Sequence, residues 1–232
     1  FLPAEDILDI RGKSGDARDG APVRIAVPVL RRIANFDDLD PLAGETDVDV
    51  TLVEAGDVIP ADADLILLPG SKSTISDLTF LRDQGWDIDI AAHLRRGGMV
   101  MGLCGGYQML GTKLDDPDGV EGPAGDTLGL GHLRVETVLA GDKRLTQVTA
   151  HANAFDVPVR GYEIHMGRTG GPDCDRPFLT LDGRPEGAVS ADGAVIGTYL
   201  HGIFADDGFR RAFLDSLAAR RGREGAFGEV DF

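Results

Sequence analysis

Between residues 23 and 110, short apolar runs alternate with stretches of helical character. Val23-Arg24-Ile25-Ala26-Val27 reads as a strand, and 48–53 alternates as a second strand does. Leu65-Ile66-Leu67-Leu68 is apolar at every position, which suits a central parallel strand buried on both faces. Gly98-Met99-Val100-Met101 reads as another short buried strand. Between these lie a helix over 35–42 with Asn35 as its N-cap, one over 73–84, and one over 88–96 stopped by Gly97-Gly98. A further helix starts after Gly106 and runs through Met109 and Leu110. Such alternation predicts an α/β fold, a doubly wound, mostly parallel sheet with right-handed crossovers. Ligands of such sheets bind at the carboxyl ends of the strands. Two loops fall there, Pro69-Gly70-Ser71 and 102–106.

The second half changes character. Residues 115–131 form a long loop rich in Gly, Pro and Asp. Strands follow over 133–139, 146–150, 161–166, 187–190 and 195–199, expected as hairpins laid beside the main sheet. Residues 206–220 make an amphipathic helix, with Phe209, Phe213, Leu214 and Leu217 at helical spacing. The flanks read differently: 1–21 as a Gly- and charge-rich linker, 22–222 as the domain, and 223–232 as a frayed tail.

The chain has 232 residues, 42% of them hydrophobic, which suffices for one large α/β domain or two small ones. Its net charge of −16 argues against a nucleic-acid or anionic-membrane surface, because both need basic patches. Two cysteines, Cys104 and Cys174, permit one disulfide; so few in a chain of this size suggest a reduced, cytoplasmic protein. No apolar run approaches the ~20 residues that span a bilayer, and no signal peptide is visible. The chain begins at Phe1 without Met, as an excised piece of something longer would.

Gly102-Leu103-Cys104-Gly105-Gly106-Tyr107-Gln108 carries the candidate chemistry. A cysteine between a strand and a helix, flanked by glycines, is the sequence form of a nucleophile elbow. The glycines allow the tight turn. The thiol then lies at a helix N-terminus, where N–H groups favour thiolate and can hold a developing oxyanion. The alternative is a small buried hydrophobe, but packing alone does not require glycines on both sides.

A thiolate nucleophile needs a base. Of five histidines, His201 follows the apolar run Val195-Ile196-Gly197-Thr198-Tyr199-Leu200 and precedes Gly202, which puts it at the same sheet edge as the elbow. It is the expected base. His165 is the runner-up; with Glu163, two positions away on a strand, it shares a face that suits substrate contact or a polar edge. His93, beside Arg95 and Arg96, is expected on a solvated face, and His132 and His151 have no strong context. The cysteines and histidines give no zinc spacing. Gly70-Ser71-Lys72-Ser73 lacks the upstream glycine of a phosphate loop, though Lys72 near a helix start could hold an anion. Cys174 has no assigned role.

The elbow resembles the Gly-x-Cys-x-Gly-x-Gln motif of class I glutamine amidotransferases, which implies a flavodoxin-like sheet with added C-terminal strands. Further stretches narrow the resemblance. They are Ile33-Ala34-Asn35-Phe36-Asp37-Asp38-Leu39-Asp40, Leu68-Pro69-Gly70-Ser71-Lys72-Ser73-Thr74, Gly161-Tyr162-Glu163-Ile164-His165-Met166-Gly167 and Tyr199-Leu200-His201-Gly202-Ile203-Phe204. Together they are similar to the C-terminal, cobalamin-type glutaminase domain of the cobyric acid synthase family, over about residues 23–220. Leu2-Pro3-Ala4-Glu5-Asp6 looks like the end of that family's synthetase domain and its linker.

The resemblance implies a chemistry. Cys104 attacks the glutamine side-chain amide, His201 moves protons, and a γ-glutamyl thioester forms and is hydrolysed. Backbone N–H groups near Gly70 and at Gly105 hold the oxyanion, and Gln108 shapes the glutamine pocket. Ammonia passes to an N-terminal synthetase domain, which uses ATP and Mg²⁺ to amidate carboxylates of adenosylcobyrinic acid a,c-diamide; no cofactor or metal is expected in this domain. One departure stands out: Ile203 occupies the position where typical class I members carry a Glu that orients the imidazole. The cobalamin-type branch lacks that Glu. The third acceptor is therefore expected to be a backbone carbonyl or a carboxylate of the missing domain. Two other readings stay open: a glutaminase for another acceptor, of the cobyrinic acid a,c-diamide synthase or lipid II amidating type, and a silent docking module.

Overall fold

The four apolar runs lie side by side in the computed structural model, which describes residues 23–141 and 144–223. Val48–Val53, Val23–Pro28, Leu65–Leu68, Met99–Leu103 and Val195–Thr198 are neighbours in that order, every pair parallel, and Ala188–Val189 adds one antiparallel edge strand. The segments expected at 1–21 and at the tail fall almost wholly outside the described residues.

Period-two geometry explains why the central runs are apolar throughout. Leu65, Leu67, Met99 and Met101 face one way, into a core completed by Phe209, Phe213, Leu214 and Leu217 of the Asp207–Arg220 helix. Ile66, Leu68 and Val100 face the other way, onto Leu78, Leu81, Trp86 and Ile90 of the helices Thr74–Asp83 and Trp86–Arg95. With both faces covered, neither set of positions tolerates polar side chains. Asp206 caps the last helix by accepting from the Phe209 N–H. Buried Arg210 ties that helix down, donating to Glu45 at 2.7 Å and to the Phe204 carbonyl at 2.9 Å.

Several expectations need correction. Residues 35–42 hold a 3-10 turn, Phe36–Leu39, and a short helix, Asp40–Gly44, rather than one helix; the Asn35 side chain makes no cap there, having a tertiary partner instead. The expected loop over 115–131 contains part of a hairpin, Lys113–Asp116 with Gly125–Leu128. Its strands belong to a small four-stranded sheet that also takes Glu136–Val138 and Arg168–Gly170. The pairs Leu179–Leu181 and Arg184–Glu186 were not foreseen, being three residues each and too short to show a period. Val195–Thr198 does not lie beside the main sheet but inside it, because its apolar residues fill the space next to Met99–Leu103.

A second, antiparallel sheet runs Arg184–Glu186, Leu179–Leu181, Arg144–Ala152, Val157–His165, Leu200–His201. The last strand matters for function. The chain leaves the main sheet at Thr198 and three residues later pairs His201 with Tyr162 of the second sheet. In the parallel register Leu68 lies level with Gly102, and Leu103 with Thr198. The loops carrying Gly70, Cys104 and His201 therefore emerge at one edge.

Candidate active site

Cys104 has φ 49° and ψ −106°, a left-handed backbone that side chains rarely adopt. Its neighbours hold it there. The Cys104 N–H donates to the Thr198 carbonyl at 2.8 Å, and its carbonyl accepts from the Gln108 N–H at 3.1 Å, opening the Gly105–Leu110 helix. Gly106 must be glycine: a Cβ there would lie 2.2 Å from the Leu68 carbonyl oxygen. The sharp strand–helix turn expected from the sequence is present, and it projects the thiol from the sheet edge. The thiol donates to the Ile164 carbonyl at 3.4 Å.

His201 is fully buried beside it. Its Nδ1 is 2.6 Å from Asp38 Oδ2, and the other Asp38 oxygen accepts from the Gly202 N–H at 2.6 Å. The acceptor on the imidazole is thus a carboxylate of this chain, neither a backbone carbonyl nor a group from another domain. Tyr162 stacks on the ring at 5.4 Å. Burial opposes charge on His201, but the hydrogen bond it donates to Asp38 and the interactions with Asp38 and Cys104 outweigh it and push the imidazole up to about 9. The Asn35 carboxamide nitrogen is 3.0 Å from Nε2.

Gly70 and Gly105 close the site. Gly70 and Ser71 pair with Ala34 and Ile33 in a two-stranded ladder. A Cβ on Gly70 would be 3.2 Å from His201 Cε1, and one on Gly105 would be 2.9 Å from the Ser71 Cβ. Both backbones therefore border the space around the thiol and the imidazole. Ser71 is fixed by donating to buried Asp77 at 2.6 Å.

Gln108 is buried and its amide is committed to the protein. It accepts from the Thr74 hydroxyl at 3.0 Å and donates to the Met166 carbonyl at 2.8 Å and the Tyr199 hydroxyl at 3.2 Å. Gln108 thus braces the elbow helix against the strand that passes the thiol. Glu163 and His165 flank Ile164, whose carbonyl meets Cys104. Both border a cavity of about 370 Å³ shared with Arg168, Arg184 and Tyr199. Glu163 pairs with Arg184 at 2.5 Å. His165 lies flat on Tyr199 at 3.8 Å, and burial holds its ring below the ordinary histidine range.

The other histidines are elsewhere. His93 is not solvated but buried, its Nε2 hydrogen-bonded to the Met99 carbonyl at 2.9 Å; it turns inward because Gly98 leaves room for the ring. His151 meets Asp156 on the surface. Cys104 and Cys174 are both free. Among the described residues, no group of three His, Cys, Asp or Glu is arranged to hold a metal ion, and no helix is long and apolar enough to cross a membrane.

Asp38, Tyr162 and Glu186 are not singled out by the sequence, and Asn35 is expected there only as a helix cap. Glu186 is buried and braces the approach to His201, accepting from the Thr198 hydroxyl and the Tyr199 N–H at 2.7 Å each; burial pushes its carboxyl up to about 7. Asp38 stands in a run of acids, 163 positions from its partner. The run is visible in the sequence; its partner is not.

This architecture has known counterparts. PurLQS from Thermotoga maritima superposes with a TM-score of 0.63 at 20% identity, covering 86% of this chain and 98% of that one. A solved glutamine amidotransferase superposes with a TM-score of 0.57 at 14% identity, covering 84% and 98%. The fold is that of the class I glutamine amidotransferases. At the level of sequence, residues 24–209 match the CobB/CobQ-like glutamine amidotransferase domain, and the chain belongs to that family. It is 61% identical over 93% of its length to the cobyric acid synthase of Ruegeria sp. (strain TM1040), and 58% identical over 96% to that of Bradyrhizobium diazoefficiens. The chain spans 44% and 45% of the length of those two relatives.

Proposed function

We propose that this chain is the glutaminase part of a cobyric acid synthase, releasing ammonia from glutamine through a thioester on Cys104. One observation carries the reading: a cysteine in a left-handed elbow next to a buried His201–Asp38 pair. Asp38 accepts the Nδ1–H and so leaves Nε2 as the ring's acceptor for the thiol proton. Proton transfer gives thiolate and imidazolium. The thiolate adds to the carbonyl carbon of the substrate's side-chain amide, and backbone N–H groups at Gly70 and Gly105 receive the oxyanion. The imidazolium returns its proton to the departing nitrogen, so ammonia leaves and a γ-glutamyl thioester remains. Water, deprotonated by His201, cleaves the thioester to glutamate and the thiol. In this reading Glu163 and His165, on either side of Ile164, contact the substrate.

The relatives are about twice as long as this chain, which supports a separate synthetase domain as the recipient of the ammonia. ATP and Mg²⁺ would act there, on the carboxylates of adenosylcobyrinic acid a,c-diamide. Identity near 60% to cobyric acid synthases favours this acceptor over those of related glutaminases. The test is glutamine hydrolysis by the full-length enzyme and by Cys104→Ala, with 6-diazo-5-oxo-L-norleucine to trap the nucleophile. Loss of turnover and of labelling in the variant is expected. Hydrolysis that survives the substitution overturns the role of Cys104; a wild type that neither hydrolyses glutamine nor is labelled overturns the whole reading and leaves a docking module.

A further inference from the structure

Gly70 and Ser71 form one wall of the space around the thiol, and they belong to a small piece of sheet. Their ladder with Ile33–Ala34 is two residues long on each strand and is separate from the larger sheets. A two-stranded piece of that length has little stability of its own. Yet a donor that receives an oxyanion must be held in place before the charge develops. The ladder therefore needs an anchor from outside.

Asp77 supplies one from the first turn of the Thr74–Asp83 helix. Its side chain is fully buried. One oxygen accepts from the Ser71 hydroxyl at 2.6 Å, and both accept from the Arg32 N–H at 3.2 Å. The carboxylate thus bonds to both sides of the ladder at the same end, because Ser71 lies in one strand and Arg32 directly precedes the other. The Lys72 N–H closes that end by donating to the Arg32 carbonyl at 2.8 Å. Ser71 Oγ in turn accepts from the Ser73 N–H at 2.9 Å, which ties the strand to the start of the helix. On its other side Ser71 meets the elbow: a Cβ on Gly105 would lie 2.9 Å from both the Ser71 nitrogen and the Ser71 Cβ. Burial raises the Asp77 carboxyl above its ordinary range, a cost that an apolar side chain in the same place would not bear.

We propose that Asp77 is a positioning residue for glutamine cleavage, clamping the Gly70–Ser71 strand through the Ser71 hydroxyl so that the oxyanion wall stays fixed against Cys104. This rests on the glutaminase reading above. Thiolate formation belongs to His201 and Asp38 and does not pass through the clamp. The clamp counts only once the amide carbonyl turns tetrahedral and its oxygen takes up charge.

That separation gives the test, made on the full-length enzyme. Asp77→Asn keeps the shape and an oxygen for the Arg32 N–H, but an amide nitrogen facing Ser71 cannot accept the hydroxyl proton. Ser71→Ala cuts the same link from the other side. Each is expected to lower kcat for glutamine hydrolysis about 10–100-fold, the effect of a displaced catalytic wall, while KM for glutamine stays near wild type. Alkylation of Cys104 by iodoacetamide, in which the thiolate forms the S–C bond and iodide leaves, builds no oxyanion and is expected to keep its wild-type rate. Because both residues act through one bond, the double variant is expected to lose no more than the worse single variant. A merely structural role would lower alkylation and turnover together. Wild-type turnover in both single variants, alkylation that falls as far as turnover, or losses that multiply in the double variant overturn the clamp and leave the glutaminase reading standing. A wild type that is alkylated but hydrolyses no glutamine removes that reading, and the clamp with it.

Discussion

His93 and His201 are equally buried, at 1% and 0% exposed, and they are driven in opposite directions. His93 donates to the Met99 carbonyl; burial, with the positive charge of Arg96 nearby, holds it below the ordinary range and keeps it neutral. His201 pays the same kind of desolvation cost, but Asp38 and Cys104 reverse the outcome. Burial alone makes a histidine a neutral packing residue. A buried carboxylate at hydrogen-bond distance turns the same side chain into a proton carrier.

The comparison breaks most sharply on activity. His201→Ala is expected to lower kcat for glutamine hydrolysis by at least ~1000-fold, whereas folded His93→Ala keeps a kcat near wild type. Ammonia release by the full-length enzyme measures both; equal losses would erase the distinction. Asp38→Asn keeps the shape and removes the charge. It is expected to cost about 10²–10⁴-fold in kcat, because the ring loses its fixed tautomer, and to bring the His201 titration down, as read by NMR of the imidazole. A titration that stays high would assign the shift to Cys104.

The His93 side can be attacked through its neighbour. A Cβ on Gly98 would lie 2.1 Å from His93 Nε2, so Gly98→Ala forces the ring or the strand to move. The expected loss is about 1–3 kcal/mol of stability, measured by denaturant unfolding, with kcat per folded molecule retained. A fully stable Gly98→Ala would mean that the ring has room to move aside.

The smallest effect is on the pH dependence of stability. His201 is raised in the folded state, so its contribution is full below the unfolded value of 6.5 and is lost as pH rises through about 9. His93 is lowered, so its penalty is absent above 6.5 and grows as pH falls below that value. In a series of melting curves, His201→Gln is expected to flatten the alkaline side and His93→Gln the acidic side. Swapped sides would contradict the assigned directions.

What was legible in the sequence was what is local. The elbow reads directly because its glycines, its cysteine and its flanking strand and helix are contiguous. The central strands read because burial on both faces leaves unbroken apolar runs. The small sheets were hidden in short, polar strands whose partners lie far along the chain, such as Lys113–Asp116 with Glu136–Val138. His93 was misplaced because the arginines around it in sequence point to solvent while its own position on the helix turns inward.

By itself, the sequence determined the alternating α/β order, the elbow that makes Cys104 the candidate nucleophile, the choice of His201 at the same sheet edge as the candidate base, and the absence of a carboxylate two positions after it. Only the tertiary structure decided what orients that imidazole. Asp38 and Asn35 reach His201 from segments more than 160 positions away, bonded at 2.6 and 3.0 Å. Hydrogen bonds act over a few ångströms of space and are indifferent to separation along the chain. A partner at that remove leaves no periodicity or spacing to read until the sheet closes and brings the two segments together.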